Sequence, residues 1–216
     1  MRKKRVGILI SGRGSNMRAL VEATREPGYP AEIVTVLSNR PKAPGLTWAS
    51  AEGLPTAVID HTSYSCREDF ESALHEALTS AGVDLVCCAG FMRLMTAGFV
   101  EKWRGRMLNI HPSLLPAFKG LDAQAQALAA GVKIAGCTVH FVEPEMDSGP
   151  IIAQAAVPVA DDDTPSTLAA RILTAEHKLY PHALHLVASG SARLEGGRVI
   201  NGVSVNQTAQ LFSPAL

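Results

Sequence analysis

The sequence predicts an α/β fold, with an open, doubly wound, mostly parallel sheet that has helices on both faces and an antiparallel edge. Two features of the chain lead to this class. Short apolar runs alternate with segments in which apolar residues recur at helical spacing, as expected for consecutive strand–helix units. The last apolar runs have fewer helical segments between them, which favours antiparallel pairing at that edge.

Seven apolar runs have the length and composition of buried strands. They span residues 6–10, 33–37, 56–59, 85–89, 107–110, 134–142 and 151–157. Between the third and fourth runs, apolar residues recur at helical spacing over 70–81, which predicts a helix.

The last third of the chain carries signals for a helix and a hairpin. The sequence Asp163-Thr164-Pro165 combines a capping side chain with a proline in the first turn, which predicts a helix start. We expect Pro181 to break or kink this helix, because proline has no backbone N–H to donate. Further on, two glycines separate the runs 192–195 and 198–201, which predicts a β-hairpin.

Length and composition exclude several classes of protein. With 216 residues, of which 47% are hydrophobic and 19% charged, the chain has the size and composition of a globular domain. Twenty basic and twenty acidic residues cancel, so we expect neither nucleic acid nor a membrane among its partners. The basic segment 2–5 is interpreted as a solvated tail, because the following apolar run is too short for a signal or a membrane span.

The four cysteines lack the spacing of a metal site or of a disulfide framework. Cys87 and Cys88 are adjacent within an apolar run, so we expect one on each side of the sheet as a buried, inert thiol. Such thiols are typical of a reducing compartment, and we expect a cytoplasmic protein without a bound metal.

A glycine-containing segment, 11–16 (SGRGSN), joins the first strand to a predicted helix that begins near Ser15. Glycines let the backbone approach a ligand, and the free N–H groups at a helix start favour an anion such as phosphate. The dinucleotide fingerprint fails, because Met17 stands where a third glycine or alanine belongs and no acidic residue closes the second strand. The segment therefore favours a monophosphate. The alternative is a tight turn with a serine cap and no ligand.

A second group of polar residues accompanies the strand predicted at 107–110. Asn109 and His111 alternate along it and therefore point to the same face, about 7 Å apart. Pro112 ends the strand and places both side chains at its carboxyl end, where ligands bind in open parallel sheets. With Asp147 to orient the ring, these groups would stabilise an oxyanion and transfer a proton. The alternatives are a structural histidine and an ordinary turn aspartate.

Together these motifs resemble one enzyme family closely. The segments 12–16 (GRGSN), 89–93 (AGFMR), 109–116 (NIHPSLLP) and 147–150 (DSGP) have the order and spacing of the phosphoribosylglycinamide formyltransferases, a group of folate-dependent formyltransferases. The Asn-x-His…Asp set is shared with other formyltetrahydrofolate enzymes. The glycine loop and the pair Glu176-His177 resemble the phosphoribosylglycinamide formyltransferases more specifically than they resemble the other formyltetrahydrofolate enzymes.

The resemblance implies a Rossmann-like formyltransferase domain and a defined reaction. Such enzymes transfer the formyl group of 10-formyltetrahydrofolate to the amine of 5'-phosphoribosylglycinamide in purine biosynthesis. The implied domain spans residues 1–216, with a phosphate-binding half at about 1–108, a catalytic and folate-binding half at about 109–190, and a C-terminal hairpin and tail at 191–216. Its partners would be small molecules, and we expect a monomer or a homodimer.

The resemblance also implies roles in binding. Gly14, Ser15 and Asn16 would hold the ribose phosphate, and Glu176 would accept hydrogen bonds from the ribose hydroxyls. The residues implied to bind the folate are Arg67, Met92, Arg93, Leu94, Met95, Asn109, Glu143 and Asp147.

In the implied reaction, Asn109 and protonated His111 would donate hydrogen bonds to the tetrahedral oxyanion. His111 would then pass a proton toward the leaving nitrogen of the folate. Asp147 would stabilise the imidazolium, directly or through an ordered water.

Two further positions are interpreted separately. Many members of the family carry a histidine where this chain has Gln124. Its amide can donate a hydrogen bond but cannot titrate near neutral pH. His140 alternates with Thr138 and Val142 along its strand, and we expect it to support the site rather than to act directly in catalysis.

Three other functions share some of these features. Methionyl-tRNA formyltransferase would need a tRNA-binding domain and a basic surface, and formyltetrahydrofolate deformylase usually carries an N-terminal regulatory domain; we expect neither here. A nucleotide-binding module without catalysis would not need Asn109, His111 and Asp147. The sequence therefore favours a formyltransferase that acts on a phosphorylated ribosyl amine.

Overall fold

A computed structural model describes residues 2–202 and Ser213. The strands are β1 (Lys4–Ile10), β2 (Ala31–Ser38), β3 (Thr56–Val58), β4 (Leu85–Cys88), β5 (Met107–His111), β6 (Ile134–Phe141), β7 (Ile151–Pro158), β8 (Ala192–Glu195) and β9 (Arg198–Asn201). The helices are α1 (Ser15–Thr24), α2 (Pro44–Ala51), α3 (Arg67–Ser80), α4 (Ala97–Lys102), α5 (Ala123–Ala129) and α6 (Pro165–Ala188).

Seven strands form one sheet in the order β3-β2-β1-β4-β5-β6-β7. The strands from β3 to β5 are parallel, whereas β6 pairs antiparallel with both β5 and β7. This confirms the predicted α/β class with its antiparallel edge. Each of the seven predicted strands overlaps an observed strand to within two residues at either end.

Helices cover both faces of the sheet because its central strands are apolar on both sides. One core contains buried residues of α1, α2 and α6, and the other contains buried residues of α3 and α4. Cys87 belongs to the first core and Cys88 to the second, which confirms that the two thiols face opposite sides. Burial raises the pKa of the Cys87 thiol to about 12, so it stays protonated and unreactive near neutral pH.

The helix α6 begins where the sequence predicts but continues through Pro181. The Thr164 side chain accepts a hydrogen bond from the Thr167 N–H, and Pro165 occupies the first turn. The expectation that Pro181 breaks the helix is wrong, because the helix runs on to Ala188. Residues on both sides of Pro181 are buried. Their packing outweighs the one backbone hydrogen bond that proline cannot donate.

The basic segment at the start of the chain is exposed at residues 2–4, as predicted, but its arginines anchor it, so it is not a free tail. Arg2 forms an ion pair with Asp84 at 2.9 Å. The Arg5 guanidinium donates to the carbonyls of Ala81 and Gly82, just after α3. Cations are favoured at the C-terminus of a helix, where carbonyl groups lack helical partners.

The predicted hairpin is present as β8 and β9. Its turn residues, Gly196 and Gly197, have φ values of 55° and 78°. Two consecutive positive φ values fit a two-residue type I′ turn, which glycine adopts without steric strain. The predicted tail after residue 202 lies outside the described residues, apart from Ser213. Among the described helices, none is both long and apolar enough to span a membrane.

Candidate active site

The loops that follow β1 and β4 meet at the carboxyl edge of the sheet. The chain passes from β1 to β2 on one side, whereas β4 lies on the other side of β1. Ligands bind at such a switch point in open α/β sheets. Here the two loops are in contact: the Ser11 N–H donates to the Gly90 carbonyl at 3.0 Å, and the Met92 N–H donates to Ser11 Oγ at 2.8 Å.

The glycine-containing loop leads directly into α1. Gly14 precedes the helix with a φ of 69°, and no side chain caps the helix start. The alternative of a serine-capped turn therefore does not describe this loop. The Gly45 N–H at the start of α2 donates to the Gly12 carbonyl at 3.0 Å and so connects α2 to the loop. The uncapped N–H groups at the start of α1 are suited to an anion.

Asn16 in this loop contacts Glu176 from α6, which lies 160 positions further along the chain. The Asn16 Nδ2 donates to Glu176 Oε2 at 2.6 Å, and both residues are buried. Asn16 Oδ1 is also buried, and it has no hydrogen-bond partner among the described residues. Burial raises the pKa of Glu176, and the hydrogen bond from Asn16 partly opposes this shift. The fold thus brings the predicted ribose acceptor to the predicted phosphate loop.

Asp147 contacts the ring of His111. Asp147 Oδ2 lies 3.3 Å from His111 Nδ1, and both side chains are largely buried, with exposures of 10% and 7%. The same Oδ2 accepts a hydrogen bond from the Gly120 N–H at 2.9 Å. The carboxylate and imidazole are therefore in direct contact. Of the two arrangements that the sequence allowed, direct contact or contact through a water, the structure has the direct one.

The second nitrogen of His111 faces another acceptor. His111 Nε2 lies 2.9 Å from the carbonyl oxygen of Phe118. A carbonyl and a carboxylate can only accept hydrogen bonds, so both contacts of the ring are satisfied at once only when both nitrogens carry protons. Both ring nitrogens of His111 therefore face groups that accept hydrogen bonds.

Asn109 is the direct cross-strand neighbour of His140 in the pairing of β5 with β6. Asn109 Nδ2 lies 3.2 Å from His140 Nε2, and His140 Nδ1 lies 2.8 Å from the Phe141 carbonyl. His140 Nε2 also lies 3.8 Å from Asp147 Oδ1. Burial lowers the pKa of His140, which favours its neutral form. Asn109, His111 and Asp147 therefore converge, and His140 lies among them.

Exposed apolar side chains occur in the loop after β4 and next to Asp147. Met92 and Leu94 are 63% and 59% exposed in the loop after β4, and Met146 next to Asp147 is 48% exposed. Arg93 Nε is buried without a hydrogen-bond partner among residues 2–202. Met95 packs partly against the core of α3 and α4.

Three predicted positions are not joined to the cluster by hydrogen bonds. Arg67 is the first residue of α3 and is exposed, and Glu143 is half-buried after β6. Neither forms a hydrogen bond or ion pair to another site residue within the described part of the chain. Gln124, which was interpreted separately, lies in the first turn of α5. No group of three or more potential metal-ligating side chains occurs among the described residues.

Comparison with known proteins identifies the family. Residues 4–184 match the profile of the family described as "Formyl transferase". The chain belongs to the formyl transferase family.

Individual relatives agree with this membership. The chain is 54% identical over 199 residues to the trifunctional purine biosynthetic protein adenosine-3 of Bos taurus, a match that covers 92% of this chain and 20% of that protein. It therefore spans about one fifth of the length of that relative. It is 41% identical over 181 residues to phosphoribosylglycinamide formyltransferase of Bacillus subtilis (strain 168), covering 84% of this chain and 93% of the relative.

Solved structures of the same family share the fold. The crystal structure of glycinamide ribonucleotide transformylase 1 from Symbiobacterium toebii superimposes with a TM-score of 0.89 at 49% identity, covering 92% of this chain and 94% of that one. The crystal structure of phosphoribosylglycinamide formyltransferase from Brucella melitensis gives a TM-score of 0.84 at 52% identity, covering 88% of this chain and 97% of that one.

Sequence reasoning missed two groups that contact residues of the candidate site. The Phe118 carbonyl and the Gly120 N–H contact His111 and Asp147 through the backbone. Backbone groups leave no residue-type signal in a sequence. The only hint was Gly120 itself, whose φ of 80° allows the sharp turn that aims its N–H at the carboxylate.

Proposed function

We propose that this chain transfers the formyl group of 10-formyltetrahydrofolate to the amine of 5'-phosphoribosylglycinamide. Its relatives and structural neighbours are phosphoribosylglycinamide formyltransferases, enzymes of purine biosynthesis. The observation that carries the proposal is the convergence of Asn109, His111 and Asp147 at the end of β5, on the same sheet edge as an uncapped helix start.

In this proposal the ribonucleotide binds at the start of α1. The backbone N–H groups of Gly14, Ser15 and Asn16 surround the phosphate, because an uncapped helix start favours an anion. Glu176 accepts hydrogen bonds from ribose hydroxyls, and the unpartnered Asn16 Oδ1 is a second acceptor beside it. The contact between Asn16 and Glu176 supports this assignment, since it links the phosphate loop to a ribose-binding carboxylate.

The folate binds along the loop after β4, according to this proposal. A pteridine is flat and partly apolar, and the exposed side chains of Met92, Leu94 and Met146 offer the apolar surface that such a ring needs. The unpartnered Arg93 Nε provides a donor in the same segment. Met95, Arg67 and Glu143 complete the proposed folate set.

The proposed reaction begins when the substrate amine attacks the formyl carbon. A carbon–nitrogen bond forms and the carbonyl oxygen becomes an oxyanion, to which Asn109 and His111 donate hydrogen bonds. The carbon–N10 bond then breaks as His111 delivers a proton to the folate nitrogen, and the proton lost by the amine restores the imidazolium. Asp147 stabilises the charged ring in this largely buried setting, where charge interactions are stronger than in water. Donation from His111 Nε2 requires the substrate to replace the Phe118 carbonyl.

The test is an assay of purified protein with both substrates. Deformylated folate, followed by absorbance, is expected only when 5'-phosphoribosylglycinamide and the formyl donor are both present. Release of formate without the ribonucleotide would identify a deformylase, and absence of turnover would identify a binding module. Either result would refute the proposal.

The variant Asn109→Ala tests the assigned chemistry within the same assay. Loss of one oxyanion donor costs about 2.7–4 kcal/mol of barrier stabilisation, a decrease in kcat of about 10²- to 10³-fold. Near-normal turnover by a correctly folded variant, as judged by circular dichroism, would show that Asn109 is not the donor.

A further inference from the structure

We propose that His140 is a positioning residue that fixes the orientation of the Asn109 carboxamide. By accepting a hydrogen bond from the amide nitrogen, it keeps that nitrogen, rather than the amide oxygen, directed into the site. The inference rests on the proposed function, because it explains how Asn109 can donate to an oxyanion.

The tautomer of His140 follows from its contacts. Its Nδ1 lies 2.8 Å from the Phe141 carbonyl, which can only accept, so Nδ1 carries a proton. A neutral imidazole has one N–H, so Nε2 is then a bare acceptor. The side chain is only 3% exposed, and burial favours the neutral ring.

The orientation of Asn109 follows from that tautomer. An asparagine amide has a donating nitrogen and an accepting oxygen, which a rotation of 180° would exchange. Only the nitrogen is compatible with a bare Nε2 at 3.2 Å. One N–H then points to His140, and the other remains available to the reacting carbonyl. If Nε2 carried the proton instead, the amide would turn and present its oxygen, which repels an oxyanion.

Two other titratable groups face His140. Asp147 Oδ1 lies 3.8 Å from Nε2, too far for a hydrogen bond, and its charge favours protonation of the ring. The charge of His111 opposes protonation, as does burial. The carbonyl that selects the tautomer is kept in place by close packing, because a Cβ at Gly149 would collide with the Phe141 oxygen.

A measurement on the unmodified protein tests the tautomer directly. In ¹⁵N-labelled protein at neutral pH without substrates, the ring nitrogens of His140 should show a protonated Nδ1 and an unprotonated Nε2. A proton on Nε2 would overturn the inference. Because this measurement needs no substrate, its outcome is separate from that of the transferase assay.

A matched pair of variants tests the effect on the reaction. Glutamine can place an acceptor oxygen near the position of Nε2, whereas asparagine is too short and reaches only the position of Nδ1. We expect His140→Asn to lower kcat by more than about fivefold, with substrate KM values nearly unchanged. The upper limit of the decrease is that for complete loss of an oxyanion donor, about 10²- to 10³-fold. We expect His140→Gln to restore most of that loss. A kcat of His140→Asn within fivefold of wild type, or no rescue by glutamine, would overturn the inference.

The double variant Asn109→Ala/His140→Asn completes the test. If His140 acts through Asn109 alone, the double variant should be within about twofold of Asn109→Ala, since the orientation of a missing amide no longer matters. Losses that multiply would show that His140 acts by another route. If His140→Asn does not fold, the ¹⁵N measurement on the unmodified protein still tests the inference.

Discussion

At the scale of the residue, Asp147 joins the parts of the candidate site. Its Oδ2 contacts both His111 Nδ1 and the Gly120 N–H. Its backbone has a φ of 51°, a left-handed conformation that aspartate and asparagine adopt more readily than most residues. Asparagine can therefore remove the charge at this position without straining the backbone, which alanine could not.

We expect Asp147→Asn to lower kcat by about 10²- to 10⁴-fold, the range for loss of a group that supports proton transfer. The thermal midpoint should change little, because the backbone conformation is kept. Steady-state kinetics and a melting curve check both expectations. Asp122→Asn is the matched control, since Asp122 also has a left-handed φ, of 56°, but is exposed. Equal rates for the two variants would contradict the role of Asp147.

Glu176 is a buried carboxylate whose proposed role in binding comes at a cost in stability. Burial raises its pKa above the ordinary value of 4.5. The native state therefore binds more protons than the unfolded state above pH 4.5, and stability decreases as pH rises through the folded pKa. We expect Glu176→Gln to be more stable than wild type at pH 7.5 but not at pH 4.5, and to have a higher KM for the ribonucleotide. Urea unfolding at both pH values tests this, and a pH-independent difference would contradict it.

At the scale of the element, the start of α2 packs directly against the proposed phosphate loop. Gly45 donates its N–H to the Gly12 carbonyl at 3.0 Å. A Cβ at Gly45 would lie 2.6 Å from Ile10 Cδ1 and 3.0 Å from that carbonyl oxygen. The absence of a side chain at position 45 thus sets how closely α2 approaches the loop.

We expect Gly45→Ala to displace the loop, to raise the KM for the ribonucleotide more than the KM for the folate, and to destabilise the protein by about 1–3 kcal/mol through overpacking. Gly98→Ala is the matched control. Gly98 is likewise the second residue of its helix, but the nearest atom to its Cβ would be 4.0 Å away. Kinetics and denaturant unfolding of both variants check the prediction, and indistinguishable behaviour would refute it.

At the scale of the whole molecule, α6 is connected to the centre of the sheet by Tyr180. Its hydroxyl lies 3.1 Å from the Cys88 carbonyl in β4 and 3.1 Å from the Leu108 carbonyl in β5. The side chain is fully buried, and burial raises the pKa of Tyr180, so the hydroxyl remains a donor at any ordinary pH. The helix that supplies Glu176 is thereby fixed to the strands that carry the catalytic candidates.

We expect Tyr180→Phe to lower the free energy of unfolding by about 0.5–1.5 kcal/mol, because it removes a fully buried hydrogen bond. Tyr29→Phe is the comparison: its hydroxyl donates to the Pro181 carbonyl at 2.6 Å in a half-buried place, where water can replace it. We expect a smaller loss there. Urea unfolding measures the free energy of unfolding of both variants, provided that their m-values are unchanged. A larger decrease for Tyr29→Phe than for Tyr180→Phe would contradict the prediction.

Local signals were enough to predict the strands and the start of α6, because each of them depends on the spacing of apolar residues or on a cap. They did not predict that α6 continues through Pro181 or that the N-terminal arginines have distant partners. In both places distant packing or charge decides: buried neighbours keep α6 continuous, and Arg5 finds its partners at positions 81 and 82. A local pattern contains no information about such partners.

The sequence by itself determined the α/β class and supplied the residue types of the candidate site and of the proposed anion loop, because periodicity and motif spacing are properties of neighbouring positions. The tertiary structure alone decided that Asn16 meets Glu176, that Asp147 contacts His111 directly, and that His140 lies against Asn109. These pairs are separated by 160, 36 and 31 positions, so only the order and register of the strands and the packing of α6 bring them within hydrogen-bond distance.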